Sequence, residues 1–204
     1  MFGFLTSLFG FTQKKTELVL TQENHNPYYL KGTKLINPYI VLSNKLPVID
    51  KTAEKNIIEG VRYLDAVTQI NPNNFAAYWF KGKGYQALKQ HDSAYKQFDK
   101  SFAINKEDPN VARELMLECL SLGKGKEAVE ISLHTLTVDG TDAGLLANLA
   151  LAYIINDNLD LAESTIEKAI LANPSDKINL NVKRMLEEVI AGKRTRSEKF
   201  DIKI

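Results

Sequence analysis

The 204 residues carry 26 Lys and Arg against 25 Asp and Glu, a net charge of +1. That balance removes the global attraction expected of a protein that binds nucleic acid or an anionic membrane by charge. A single cysteine excludes an internal disulfide framework and suits a reducing, cytoplasmic setting, and no apolar run reaches the roughly 18 residues that a spanning helix needs.

Residues 1–11 read MFGFLTSLFGF and precede Lys14 and Lys15. Positive charge would come before the apolar run in a secretory signal, and a small-residue cleavage site after it; neither is present. Phe2, Phe4, Leu5, Leu8, Phe9 and Phe11 instead suit a contact with the protein's own helices or a partner chain. The competing reading is a weak peripheral membrane contact by residues 1–15 at the inner face of a membrane, for which the run is short. Residues 1–50 are therefore expected to form an apolar, aromatic N-terminal extension packed on the helices of residues 51–191. Within it, the triplets Asn26–Tyr28 and Asn37–Tyr39 each open a short helix or make a turn, because asparagine caps and proline fits the first helical position.

Residues 51–70 are expected to be helical, with Ile57, Val61, Leu64 and Val67 on one face and Gly60 at a crossing point. Three helix pairs come next: 75–88 with 92–104, 109–122 with 126–138, and 143–155 with 159–172. Asp108-Pro109 is a start signal, an aspartate cap followed by proline in the first turn. A last helix over 178–191 places Ile178, Val182, Met185 and Val189 on an apolar stripe and Lys183, Arg184, Glu187 and Glu188 toward water. Gly192 ends it. Residues 192–204 form a basic tail with Lys193, Arg194, Arg196 and Lys199, expected to be solvated.

A period of 34 organises residues 75–176. Ala94, Ala128 and Ala162 mark it, as do Tyr85, Cys119 and Tyr153, and Gly82, Met116 and Ala150. In the second helices the series are Phe98, Ser132 and Ile166, and Ser101, Thr135 and Ala169. Small residues at these places let antiparallel helices cross closely, while the larger ones fill the space beside the crossing. With Gly82, Tyr85, Ala94 and Phe98 in the first window, and Leu149, Tyr153, Ala162 and Pro174 in the third, the chain resembles the tetratricopeptide repeat family. Lys81 stands where that pattern has leucine, and the middle window keeps only Leu115 and Ala128. The resemblance covers about residues 51–191. It implies an all-α, right-handed solenoid of helical hairpins: three full repeats, a preceding half-repeat and a C-terminal capping helix.

Chemistry is sparse. His25, His91 and His134 have no second metal-type ligand at helical or loop spacing. Gly82-Lys83-Gly84 and Gly123-Lys124-Gly125-Lys126 do not fit a phosphate loop. Cys119 occupies a core slot. These readings assign no catalytic residue, metal or cofactor, and the chain is expected not to be an enzyme. The resemblance implies instead that first helices line an inner groove, with Trp79, Lys83 and Gln86 in the first window, Arg113, Leu117 and Leu120 in the second, and Ala147, Leu151, Ile154 and Ile155 in the third. Ala76, Asn110, Asn181, Met185 and Glu188 complete it. Trp79 is the natural anchor. One end of this groove is mixed and the other strongly apolar, so the expected occupant is a partner polypeptide with apolar anchors. A homodimer, or coverage by the chain's own N-terminus, competes with a foreign partner. Relatives that grip chaperone tails do so at positions equivalent to Trp79, Lys83, Glu114, Gly144 and Asn148; with one cation and a repelling Glu114, no such binding is expected.

Overall fold

The computed structural model describes residues 25–40 and 47–196. Within them the chain forms nine α-helices: α1 (His25–Ile36), α2 (Lys51–Ile70), α3 (Phe75–Ala87), α4 (His91–Ile104), α5 (Pro109–Ser121), α6 (Gly125–Thr135), α7 (Ala143–Ile155), α8 (Leu159–Ala172) and α9 (Lys177–Ile190). A 3-10 turn at Asn37–Tyr39 follows α1, so both Asn-Pro-Tyr triplets are helical. The expectations for residues 1–15, Val41, Leu42 and Lys199 lie outside the described residues.

The period is written into the backbone as well as the core. Asn74, Asp108, Asp142 and Asp176 each accept a hydrogen bond from an amide in the first turn of the helix they open, which satisfies donors that no helical carbonyl can reach. These four caps are 34 apart. So are the left-handed residues that end α3, α5 and α7: Lys89 at φ 56°, Gly123 at φ 73° and Asp157 at φ 62°. At each, the next amide closes onto a carbonyl five residues back: Gln90 to Tyr85 at 2.9 Å, Lys124 to Cys119 at 2.7 Å and Asn158 to Tyr153 at 2.9 Å. The turn therefore reverses the chain in the same way three times, even where lysine or aspartate must adopt a conformation that glycine takes more cheaply.

Successive helices pack as antiparallel hairpins, α1 on α2, α3 on α4, α5 on α6 and α7 on α8, and α9 closes the end. Ala94, Ala128 and Ala162 are fully buried at the crossings. At the first of these crossings Gly82 lies against the ring of Phe98, itself fully buried. Cys119 is also buried, and burial pushes its thiol well above the ordinary range, so it packs as a small apolar group. The core falls into two clusters. Ile36, Val61, Leu64, Val67 and Ala77 make the smaller one, and the larger runs from Ala94 and Phe98 on α4 to Val182 and Leu186 on α9.

Two expectations need correction. The half-repeat at α2 is a whole hairpin, because α1 supplies its first helix. Gly32 and Gly60 meet at the crossing: a Cβ on Gly32 would lie 3.0 Å from the Gly60 carbonyl oxygen, and one on Gly60 2.9 Å from that of Gly32. Twelve residues separate Gly82 from Ala94, but twenty-eight separate Gly32 from Gly60. The extra sixteen residues lengthen the connection and the start of α2, and they take α1 out of phase. The second correction is on α9. Ile178 is 64% exposed, while Asn179, Val182 and Leu186 face the core. Asn179 donates through Nδ2 to the Ala169 carbonyl at 3.1 Å, so a polar residue sits where the apolar stripe placed isoleucine.

Candidate functional site

The first helices of the hairpins stand side by side, α1 beside α3, α5 beside α7 and α7 beside α9. Together they form one wall of the molecule. A gradient of exposure runs along each helix of that wall. Near the N-terminal ends, Asn110, Gly144, Ile178 and Asn181 are exposed, and Ala76, Trp79 and Arg113 are partly so, as is Leu117 further along α5. Near the C-terminal ends, Leu120, Leu151, Ile154 and Ile155 are buried. Ala147, one period after Arg113, is buried too. The apolar half of the expected groove is thus interior: α9 packs across α7, with Met185 against the main core cluster. Five of the ten groove residues read from the sequence, Leu120, Ala147, Leu151, Ile154 and Ile155, hold the wall together from within.

The mixed half is a network. Lys83 is only 5% exposed. Its Nζ donates to Glu114 Oε1 at 2.9 Å and to Gln86 Oε1 at 2.5 Å, and it lies 5.8 Å from the centroid of the Trp79 ring. Gln86 in turn donates through Nε2 to Glu114 at 3.1 Å and to Glu118 at 2.9 Å. Glu118, 2% exposed, has His91 Nδ1 at 2.8 Å from its other oxygen. An ionised carboxylate removed from water needs such partners, since an uncompensated one costs several kcal/mol. These side chains bridge α3 and the α3–α4 turn to α5, at the seam between the two core clusters.

The next seam is tied differently. Arg113 on α5 donates to Asn110 Oδ1 at 2.8 Å and to Asp142 Oδ2 at 2.6 Å. Burial opposes ionisation of Asp142, yet the bond from Arg113 and the amides it caps at the start of α7 hold its carboxyl below the usual range. Gly144 lies directly under this guanidinium: a Cβ there would be 3.3 Å from Arg113 Nε. Lys83 and Arg113 are the two cations among the groove residues, and each already has a carboxylate. Trp79 is half-buried, stacked edge-on to Phe80 at 5.0 Å, with its indole nitrogen buried and without a hydrogen-bond acceptor.

Residues 143–176 match the family model of the tetratricopeptide repeat. These residues form a tetratricopeptide repeat. The fourth hairpin, α7–α8, is the matched unit, and the two preceding hairpins repeat its caps, turns and buried alanines at the same spacing. The fold agrees with solved structures of this kind. A crystal structure of MamA protein has a TM-score of 0.67 at 16% identity, over 84% of this chain and 85% of that one. A tetratricopeptide repeat protein from Parabacteroides merdae has a TM-score of 0.67 at 14% identity, over 83% and 61% respectively. MamA from Desulfovibrio magneticus gives 0.61 at 15% identity, over 85% and 94%. At these identities the likeness is one of fold.

Tetratricopeptide repeats stack into extended surfaces that serve protein–protein interaction, and here the departures from the family pattern are explained by contacts between neighbouring elements. Lys81, in the leucine slot, is buried and reaches Asp65 of α2 at 2.6 Å and the ring of Tyr78 at 5.1 Å. Ser132, in the phenylalanine slot of the middle window, donates to the Ala128 carbonyl at 2.6 Å and lies 3.3 Å from Met116 Sδ. Met116 itself fills the space that a glycine would leave. Among the described residues, no three His, Cys, Asp or Glu side chains converge as a metal site, and no helix is long and apolar enough to cross a membrane. The apolar stripe of α9 misassigns one wall residue, Ile178. Its register with Ala76, Asn110 and Gly144, each 34 residues apart, is the sequence signal that places it on the wall.

Proposed function

We propose that this chain is a non-enzymatic scaffold whose first-helix wall holds a partner polypeptide. The strip that takes the partner consists of Trp79, Asn110, Arg113, Leu117, Gly144 and Asn181. One observation carries the reading: the wall's C-terminal half is sealed, and what stays accessible is an aromatic anchor, Trp79, and two carboxamides, Asn110 on α5 and Asn181 on α9. Each carboxamide offers a donor and an acceptor to a peptide backbone. Charge contributes little, because Lys83 and Arg113 already face Glu114 and Asp142. The partner segment is therefore neutral with apolar anchors, and a chaperone-type acidic tail is a poor fit.

Affinity capture from the native host tests this, using the wild-type chain, Trp79→Ala, Asn110→Ala and a control on the opposite side, Lys96→Glu. The two wall variants should lose a partner that the control keeps. Retention by both wall variants together with loss by Lys96→Glu would place the interaction on the second helices and end the proposal. Separately, an acidic C-terminal peptide that binds the wild type tightly and fails to bind Lys83→Ala would overturn the charge argument.

A further inference from the structure

The two ends of the stack are cut at complementary places. Each first helix has a residue at its crossing: Gly32 on α1, Gly82 on α3, Met116 on α5, Ala150 on α7 and, in the same register, Arg184 on α9. Two residues after it stand Gly84, Glu118, Ala152 and Leu186, all buried; two before it stand Phe80, Glu114, Asn148 and Val182, buried or half-buried. Both positions look back at the preceding hairpin. A Cβ on Gly84 would meet Val61 at 3.1 Å and Ile36 at 3.4 Å, Phe80 stacks edge-on against Tyr29 at 6.1 Å, and Glu118 and Glu114 take the bonds from Gln86 and Lys83. On α1 the same two positions are Leu30, 62% exposed, and Lys34, also exposed. Among the described residues no hairpin precedes α1, and its leading edge is an apolar group and a cation one helical turn apart.

The other end carries the matching half. The residues that meet those two positions from the preceding first helix lie one and four after its own crossing residue: Lys83 reaches Glu114, Gln86 reaches Glu118, and Ile36 lies against Gly84. On α9 the equivalent residues are Met185 and Glu188. Met185 is only partly buried, its inner side on the main core cluster. Glu188 is 37% exposed, and its ion pair with Arg194 is long at 3.7 Å. The chain beyond turns back toward α7, where Arg196 donates through Nη1 to the Ile155 carbonyl, so this part of the basic stretch is fastened rather than solvated.

We propose that copies of this chain join head to tail, with α1 of one copy laid on α9 of another as first helices lie on one another within the chain. In that register Met185 meets Leu30 of the second copy and Glu188 meets its Lys34, apolar group on apolar group and carboxylate on ammonium. The two patches differ, so the contact is heterologous and leaves one free edge at each end, and growth does not stop at a dimer. One helix on another is small beside a standard interface, so the association is weak and depends on concentration.

Sedimentation velocity of the full chain over a concentration series tests the proposal. The weight-average mass of the wild type should rise with concentration and pass that of a dimer. Lys34→Glu and Glu188→Lys should each raise the concentration needed by about tenfold or more, because like charges then face each other across the joint. An equimolar mixture of the two variants, and the double variant Lys34→Glu/Glu188→Lys, should associate as the wild type does. A wild type that stays monomeric throughout would overturn the proposal, leaving the α1 edge to residues 1–24 of its own chain or to another protein. Assembly that stops at a dimer would replace it with a symmetric contact. Association that both single variants keep, or that the mixture fails to restore, would refute the pairing of Glu188 with Lys34.

Discussion

Replacing Gly82 with alanine tests the close helix crossing on which each hairpin depends. In an ordinary helix the change stabilises by about 1 kcal/mol, because alanine loses less backbone entropy. Here the new Cβ would lie 2.5 Å from Cε1 of Phe98 and 2.7 Å from its Cδ1 and Cζ. Phe98 is fully buried and its ring belongs to the main core cluster, so it has no free volume into which to withdraw. Overpacking of this kind costs about 1–3 kcal/mol, and contact with three ring carbons puts it at the upper end. The expected net effect is a loss of about 2 kcal/mol, taken as about 3 lost and about 1 gained. For a chain of this length that lowers the thermal midpoint by roughly 4–8 °C, read by helical circular dichroism and checked by the urea midpoint. In a Phe98→Leu background the ring is gone, and the same Gly82→Ala change should become neutral or stabilising. A Gly82→Ala protein more stable than wild type would refute the packing argument.

Three further outcomes are expected. Gln86→Ala leaves the buried Glu118 carboxylate with His91 alone, and should lower stability by about 1–3 kcal/mol; an unchanged urea midpoint would mean that the seam is hydrated and indifferent to Gln86. The Asp142 carboxyl is held below its usual range, so the stability it adds is fully present above its unfolded value of about 3.9 and is lost as pH falls through the lower folded value. The gap between wild type and Asp142→Asn should therefore be constant above about pH 5 and close in more acid solution; a gap that widens toward low pH would reverse the assignment. Trp79 is the only tryptophan, and with its indole nitrogen buried its emission should lie to the blue of the unfolded chain while staying partly quenchable by acrylamide. Emission at the unfolded position would remove it from the wall.

The spacing of caps, turns and alanines makes most of the solenoid legible. Asn74, Asp108, Asp142 and Asp176 are visible in the sequence at period 34, and they predict the helix starts better than the apolar pattern does. What the period cannot show is an element displaced from it. α1 escapes it because sixteen additional residues separate its crossing glycine from Gly60, although the same close contact is made. The groove is legible as a set of positions and not as a surface. Register places Ile154 and Asn110 on the same wall, yet whether each is open depends on how far neighbouring helices reach across. α9 packs on α7, and no local pattern in α7 records that. Lys81 is a misfit to the repeat for the same reason, since Asp65, which pairs with it, lies in the preceding hairpin.

Lys83 also makes the wall mechanically uneven. In a stack of identical repeats each interface is the same, and bending is shared evenly along the array. This chain is not uniform. α5, α7 and α9 share the main apolar cluster, with the Arg113–Asp142 pair added at the start of α7, whereas α3 and α5 meet through Lys83, Gln86, Glu114 and Glu118. Apolar contacts are lost outright when surfaces separate, but a hydrogen-bonded seam can exchange its partners for water at smaller net cost. Bending of the wall should therefore concentrate between α3 and α5, beside Trp79, where the partner's anchor is proposed to sit. Amide exchange in α3 faster than in α7 would bear this out; equal protection of the two helices would show that the polar seam is as rigid as the apolar ones.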